Sequence, residues 1–168
     1  MKTVIVTAYN TQWPNYFEQI KAELSLGLSG SIIKIDHVGS TSVPGLAAKP
    51  IIDIDIVIKD YNYFEAVKEK PSNMGYTHEG DLGIKNRQAF TYVDKSHLMK
   101  HHLYICPEYS KELKRHIAFR DYLRSHPKDR DWYEEVKILA AECFSKDIDS
   151  YITAKSPCVL KILEKCKV

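Results

Sequence analysis

The stretch HVGSTSVPGLAAKPIIDIDIVI, residues 37–58, decides the fold predicted for this chain. It opens with a tight turn, Gly39-Ser40, followed by small hydroxyl residues of the kind that begin a helix. The backbone N–H groups of such a turn can hold an anion. Proline restricts the residue before it to an extended conformation, so Lys49-Pro50 places a cation just ahead of the next strand.

The strand that ends this stretch carries two acidic side chains on one face. Alternation over residues 51–58 gives the other face to isoleucines, namely Ile52, Ile54, Ile56 and Ile58. Residues two apart on a strand lie roughly 6.5 to 7 Å apart, so Asp53 and Asp55 can reach one divalent cation or a pair of them. The alternative is a solvated face on which the two acids serve only solubility. The isoleucines indicate a central strand, where two unpaired like charges would be costly, and this favours a metal site.

Composition restricts the class of protein. The chain has 168 residues, 44% hydrophobic and 27% charged, which predicts one globular domain with a sizeable core. The net charge of +2 does not single out nucleic acid, and four scattered cysteines argue against zinc and against a disulfide framework. The sequence has neither a signal-like apolar segment nor a membrane-spanning run, so we expect a cytoplasmic protein without a membrane partner. No Walker motif occurs, which makes a P-loop kinase or ATPase an unlikely class.

The rest of the chain predicts an α+β domain. Strands are expected at 32–38, 51–58, 75–79, 88–93 and 101–106, with a short strand or extended arm at 2–8. The strands at 32–38 and 51–58 are expected to lie centrally in the sheet. Helices are expected from Trp13-Pro14 to the glycines at 27 and 30, over 61–70, and throughout 108–168. A further helix is expected to follow the Gly39-Ser40 turn. We treat 1–168 as a single domain, with a sheet-containing core at 1–107 and a helical part at 108–168.

A Gly-Ser turn followed by Asp-Ile-Asp on a strand resembles the signature of the polymerase-beta-like nucleotidyltransferase superfamily. The longer stretch from His37 to Ile54 resembles the GrpB family, and the resemblance extends to residues 101–105, 119–127 and 151–156. It implies a mixed sheet of four or five strands flanked by helices, with a helical C-terminal part. It also implies a nucleoside triphosphate as ligand, with Mg²⁺ or Mn²⁺ as cofactor.

Site residues follow from this resemblance and from the pattern together. The metal is expected at Asp53 and Asp55. The phosphates are expected at a larger set, namely Gly39, Ser40, Thr41, Lys49, Arg87 and Lys155. Arg87 could instead be a surface charge on a hairpin, and Lys155 part of a solvated helix face.

Sites of this superfamily usually add a third acid from a neighbouring strand, which here reads His101-His102-Leu103-Tyr104-Ile105. His102 is therefore the candidate third catalytic residue beside Asp53 and Asp55, as a metal ligand or a general base. The alternative is a structural histidine. Other acids could take this place if the topology brings them close: Glu79, Asp81 and Asp94.

The predicted activity is transfer of a nucleoside monophosphate to an acceptor that the sequence leaves open. A non-catalytic module that binds a nucleotide or phosphate ligand is the alternative.

Overall fold

The computed structural model describes residues 3–167 and contains one five-stranded mixed sheet with helices on both faces. The strands are β1 (Lys34–Val38), β2 (Ile52–Ile58), β3 (Tyr76–Gly80), β4 (Gln88–Tyr92) and β5 (His101–Pro107). The helices are α1 (Trp13–Leu28), α2 (Phe64–Val67), α3 (Glu69–Asn73), α4 (Lys111–Ser125), α5 (Pro127–Cys143) and α6 (Ile148–Cys166). The predicted α+β class with a helical C-terminal part is confirmed.

The strand order is β1-β2-β5-β4-β3, and the β2–β5 pair is parallel whereas the other pairs are antiparallel. The strand predicted at 32–38 was expected to lie centrally, and this is wrong because β1 pairs with β2 alone and forms an edge. The N-terminal segment, which could have covered that edge, instead pairs Thr7 with Ala48 in an isolated bridge. Of the arm predicted at 2–8, Lys2 lies outside the described residues.

Two predicted helices are shorter than expected. The Gly39-Ser40 turn leads into a single 3₁₀ turn, Ser40–Ser42, because the chain must return at once towards β2. The segment 61–70 divides into a 3₁₀ turn, Tyr61–Tyr63, followed by α2 and α3, and Pro71 lies within α3 instead of ending the helix. Asp60 caps this segment, and its carboxylate accepts a hydrogen bond from the Asn62 N–H at 2.8 Å.

The core lies between α1 and the isoleucine face of β2. The four isoleucines are completely buried, namely Ile52, Ile54, Ile56 and Ile58. They belong to one cluster with Ile20, Leu24 and Leu28 of α1. Full burial of such side chains stabilises a fold by about 1.5 to 3 kcal/mol each. The period-two pattern read from the sequence is therefore the main source of core stability.

The helical part covers the opposite face of β1 and β2. Leu113 of α4 packs against Val57 and Cys106. Val43 and Leu46, from the loop between the Gly39 turn and β2, are buried in the core that α4, α5 and α6 form. The loop is thus held between the sheet and the helices. No helix between residues 3 and 167 combines the length and the apolar character that crossing a membrane requires.

Candidate functional site

Gly39 brings the backbone of the turn against the carboxylate of Asp53. Its φ is +71°, a conformation that glycine adopts without strain, and a Cβ at this position would collide with Asp53 Oδ2. β2 begins directly beside the end of β1, with Val38 opposite Asp53 in the ladder. The Gly39-Ser40 turn and the first acid of the Asp-Ile-Asp motif therefore form one compact unit.

Asp53 and His102 form a hydrogen-bonded pair. They are neighbours on the parallel strands β2 and β5, and Asp53 Oδ1 lies 2.8 Å from His102 Nδ1. An ionised carboxylate only accepts hydrogen bonds, so Nδ1 carries the hydrogen and, in the neutral ring, Nε2 is left as an acceptor. Both side chains are partly exposed, at 31% for Asp53 and 44% for His102. His102 thus presents a potential proton acceptor to the cleft.

Asp55 shares a face with Asp53, but its side chain is completely buried beneath α4. Its Oδ2 accepts a hydrogen bond of 2.7 Å from His116 Nδ1, and His116 Nε2 donates to Glu112 at 3.2 Å. Burial raises the pKa of the Asp55 carboxyl, and the bond from His116 offsets part of this rise. Burial opposes the charge on His116, but its bonds to Asp55 and Glu112 outweigh that and raise the pKa of His116 to about 10.

Three lysines surround a cavity of about 210 Å³ next to the Asp53–His102 pair. We call it the lysine cavity, and its lining includes Ser40, Lys49, Asp53, His102, Lys137, Tyr151 and Lys155. The ammonium groups of Lys49 and Lys155 lie 5.7 and 5.4 Å from the centroid of the Tyr151 ring. Burial is the main cause, and the charge of Lys155 the second, of a lowered pKa for both other lysines. The pKa of Lys49 falls below its ordinary value, and that of Lys137 falls to about 7. Such a concentration of cations favours an anionic ligand.

The structure brings together many, but not all, of the residues predicted for the phosphates. Ser40, Lys49 and Lys155 line the lysine cavity. Thr41 also lines it, but its buried hydroxyl already donates to the Ile51 carbonyl at 3.3 Å and lies 3.0 Å from His37 Nε2. Gly39 supports the adjoining turn.

Arg87 lies apart from the lysine cavity. Its guanidinium stacks on the Tyr104 ring of β5, 4.4 Å from the centroid, and Arg87 is not among the residues that line the lysine cavity. Its Nε is buried without a hydrogen-bond partner among the described residues. The hairpin that carries Arg87 leads into β4, and β5 separates this strand from β2. The geometry therefore gives Arg87 no direct place among the residues that surround a phosphate.

Lys137 and His116 were missed by the sequence analysis. Lys137 follows Tyr133 by four residues on the buried stripe of α5, and a lysine on such a stripe is a detectable signal. His116 follows Glu112 by four residues on α4, which also suggests a pair. Their partners on other elements, the Ala47 carbonyl and Asp55, depend on tertiary packing.

Cations of α4 and α5 hold the backbone of the loop that carries the motif. Arg120 donates to the His37 carbonyl at the end of β1, at 3.0 Å. The bonds to loop carbonyls run from Arg124 to Ser42 at 3.0 and 2.6 Å, from Arg130 to Pro44 at 3.4 Å, and from Lys137 to Ala47. We call these four side chains the carbonyl clamp. Glu134 also accepts a hydrogen bond from the Ala47 N–H. The helical part therefore fixes the shape of the loop at several points.

The donor chemistry of the two acids fits Mg²⁺ or Mn²⁺. Asp55 Oδ1 is buried and has no hydrogen-bond partner among the described residues, so it is an oxygen that a cation could satisfy. Within residues 3–167, no three His, Cys, Asp or Glu side chains stand together in an arrangement that would hold a metal by themselves. Mg²⁺ is commonly bound by one or two carboxylates together with the phosphates of a substrate. The residues present suit that kind of shared site.

Comparisons with known proteins agree with the fold. The chain is 33% identical to YqkA of Bacillus subtilis over 166 residues, which is 99% of this chain and 48% of YqkA, so it spans about half of that relative. The crystal structure of the conserved protein GrpB from Enterococcus faecalis has a TM-score of 0.85 and 32% identity, covering 96% of each chain.

A more distant likeness concerns the fold alone. The Cid1 poly(U) polymerase, solved with MgGTP, has a TM-score of 0.55 and 14% identity, over 84% of this chain and 44% of Cid1. The sheet and its flanking helices are therefore nucleotidyltransferase-like. The family model described as GrpB protein matches residues 3–165, and the chain belongs to the GrpB family.

Proposed function

We propose that this protein binds a nucleoside triphosphate in the lysine cavity and transfers its nucleoside monophosphate to an acceptor. The observation that carries the proposal is the position of three lysines, Lys49, Lys137 and Lys155, directly beside the Asp53–His102 pair. Phosphoryl chemistry depends mainly on positioning and on stabilisation of negative charge. The cavity supplies the charge, and the pair supplies a carboxylate and a proton acceptor.

The phosphates occupy the lysine cavity and the nucleoside projects from it. The cavity volume of 210 Å³ lies below the range of about 300 to 1,000 Å³ that holds drug-sized ligands, so it suits phosphate groups more than a whole nucleotide. Ser40 and the turn at Gly39 add a hydroxyl and backbone N–H groups to the ammonium groups of Lys49 and Lys155, whereas the buried Lys137, with its pKa lowered to about 7, donates to the Ala47 carbonyl. The hydroxyl of Thr41 stabilises the turn through its hydrogen bond to the Ile51 carbonyl.

Asp53 and Asp55 would hold Mg²⁺ or Mn²⁺ together with the phosphates. Bound there, the cation would neutralise charge on the triphosphate and stabilise its departing oxygen. Asp53 also orients His102, and His102 Nε2 accepts the proton of the attacking hydroxyl. Both roles of Asp53 depend on Gly39, which allows its carboxylate to lie against the turn.

A second candidate is a module that binds a phosphate ligand without catalysis. The observation in its favour is the burial of Asp55, which is sealed beneath α4 and bonded to His116. A buried acid neutralised in this way does not need a metal. The same lysine cavity would then serve binding alone.

A transfer assay separates these candidates. The protein is incubated with Mg²⁺ or Mn²⁺, a metabolite extract and one of four nucleotides labelled at the α-phosphate: ATP, GTP, CTP or UTP. We expect pyrophosphate release and a labelled product. His102→Gln should keep nucleotide affinity and lower the rate by about 10² to 10⁴-fold, the usual contribution of a general base. Lys155→Gln should weaken nucleotide binding, whereas Lys161→Gln, an exposed lysine of the same helix, should not.

Saturable binding of a nucleotide without pyrophosphate would favour the module. If no nucleotide binds, the nucleotidyl transfer is wrong. If Lys155→Gln binds nucleotides and inorganic phosphate as tightly as the wild type, the lysine cavity is not the site and both candidates are wrong.

A further inference from the structure

A second cavity of about 670 Å³ adjoins the lysine cavity on the same face of the sheet. We call it the sheet cavity, and its lining includes Glu79, Thr91, Asp94, Ser96, Lys100 and His102. His102 lines both cavities. Its volume lies within the range of about 300 to 1,000 Å³ that is typical of small-molecule sites. A ligand in the sheet cavity would therefore lie next to the phosphate site, and both would contact His102.

The floor of the sheet cavity consists of alternate residues of β4 and β5. Ala89 and Tyr104 are direct neighbours in the ladder, and Thr91 and His102 continue the same face. Helix α4 packs against β1 and β5, whereas Thr91 and the following Val93 of this face are exposed. The structure thus leaves an accessible surface beside His102.

His102 is oriented for a ligand in this second cavity. Its Nδ1 is bonded to Asp53, on the side of β2, so the opposite nitrogen, Nε2, is the one left for a further contact. A hydroxyl bound above β5 can therefore approach His102 from the side that Asp53 does not occupy. The phosphate site lies on the other side, in the lysine cavity that Lys49, Lys155 and Asp53 line together.

The charges of the two cavities differ. The sheet cavity has two exposed acids, Glu79 and Asp94, and two lysines. Lys95 is buried and its ammonium is bonded to Glu23 at 2.6 Å, so Lys100 is the lysine that remains exposed. A polyanion such as nucleic acid requires many cationic contacts along its backbone. The sheet cavity does not offer them, whereas its hydroxyls and carboxylates suit a ligand rich in O–H or N–H donors.

We propose that the sheet cavity binds the acceptor of the transfer, and that this acceptor is a small hydroxyl compound without negative charge. This proposal rests on the nucleotidyl transfer proposed above. The acceptor oxygen forms a bond to the α-phosphorus, the bond from that phosphorus to the β-bridging oxygen breaks, and pyrophosphate leaves with the electron pair. The hydroxyl proton passes to His102 Nε2. Glu79 and Thr91 hold the other hydroxyls or an amino group of the acceptor.

Matched probes test the class of acceptor. ¹H–¹⁵N spectra of the full chain are recorded during titration with glucose, glucosamine and ethanolamine, each compared with its phosphorylated counterpart, and with an oligouridylate. We expect the unphosphorylated sugars or amine to shift the amides of Thr91, Ser96 and His102. Glu79→Gln should weaken that binding by about fivefold or more, as expected for loss of a charged hydrogen-bond partner. Glu142→Gln, an exposed acid of α5, should have no effect.

Two outcomes would overturn this assignment: none of the unphosphorylated probes shifts these amides, or a phosphorylated probe or the oligouridylate binds there more tightly than its uncharged counterpart. A separate titration with Mg²⁺ and ATP reports on the amides of Ser40, Lys49 and Lys155. If ATP leaves those amides unchanged, the proposed function is wrong, whatever the sugars do. If ATP binds and the uncharged probes do not, only the acceptor site is wrong.

Discussion

Gly39 has two reasons to be glycine: its φ of 71° with ψ of −176° is a backbone conformation that essentially only glycine adopts, and a Cβ there would have no room. Gly30 has nearly the same φ, +72°, but open space where its Cβ would lie, whereas a Cβ at Gly39 would collide with Asp53. Gly30→Ala should therefore cost about 1 to 2 kcal/mol, the penalty of the left-handed conformation alone. Gly39→Ala should lower the free energy of unfolding by more than that and should also weaken nucleotide binding.

Urea denaturation measures both glycine variants, and a nucleotide titration of each follows. Equal losses of stability in the two variants would contradict the larger cost expected at Gly39.

The two acids of the motif should respond differently to neutralisation. Asp55→Asn removes one of the two acids bonded to the partly buried His116 charge and should lower the free energy of unfolding by about 3 kcal/mol. Asp53→Asn affects the partly exposed Asp53–His102 pair and should change the free energy of unfolding by less than about 1 kcal/mol. Mg²⁺ with ATP should raise the melting temperature of the wild type, and Asp53→Asn should remove most of that rise.

The double variant with His116→Gln provides the control, because it removes the charge that loses a partner in Asp55→Asn. Its loss of stability should be smaller than the sum of the two single losses. Additive losses, or an unstable Asp53→Asn variant, would contradict these assignments.

The pattern of the motif predicted where the acids lie but not what covers them. Alternation places Asp53 and Asp55 on one face, and the same rule selected His102 over His101. Whether a face is open or closed depends on which helix packs on it. Nothing within residues 51–58 encodes α4, so the burial of Asp55 could not be predicted from them.

At the scale of elements, β2 and β5 lie inside the sheet, each with a partner on both sides, and a parallel ladder joins them. We expect the slowest amide exchange in these two strands, and faster exchange for the amides of β1 that face the open edge. Hydrogen exchange followed by NMR tests this. Protection of those β1 amides equal to that of β2 would show that the edge is covered in solution.

Strand type was predictable and strand position was not. Apolar alternation and the flanking turns indicated the strands near 34–38, 52–58 and 101–107. The order of strands depends on how the connections cross the sheet. The segment from α2 to β4 occupies the far edge, which lets β5 pair with β2, and no local pattern reports such a choice.

At the scale of the whole molecule, two basic groups, the partly buried His116 and the buried Lys137, have opposite effects on stability over the same pH range. The pKa of His116, about 10, lies above its ordinary value of 6.5, so the stability it provides is present below pH 6.5 and is lost as pH rises towards 10. The pKa of Lys137, about 7, lies below 10.5, so the unfolded chain holds more protons between these values and stability rises with pH.

We therefore expect the unfolding free energy of the wild type to change little between pH 7 and 10, the range bounded by these two pKa values. In Lys137→Met the unfolding free energy should fall as pH rises, because only the His116 contribution remains. In His116→Gln it should increase with pH, because only the Lys137 contribution remains. Chemical denaturation across this range measures both slopes. Identical slopes in the two variants would contradict the pKa values on which the expectation depends.

The carbonyl clamp recognises main-chain oxygens, and this determines which substitutions the loop tolerates. A side chain at Pro44 or Ala47 can be exchanged without removing the acceptor that Arg130 or Lys137 uses, because every residue has a carbonyl group. Replacement of one clamp cation, in contrast, would release a segment whose own sequence is intact. The shape of the loop is in this sense set by α4 and α5, while its exposed positions, such as Pro44, are free to vary and its buried ones, such as Val43 and Leu46, are held by packing.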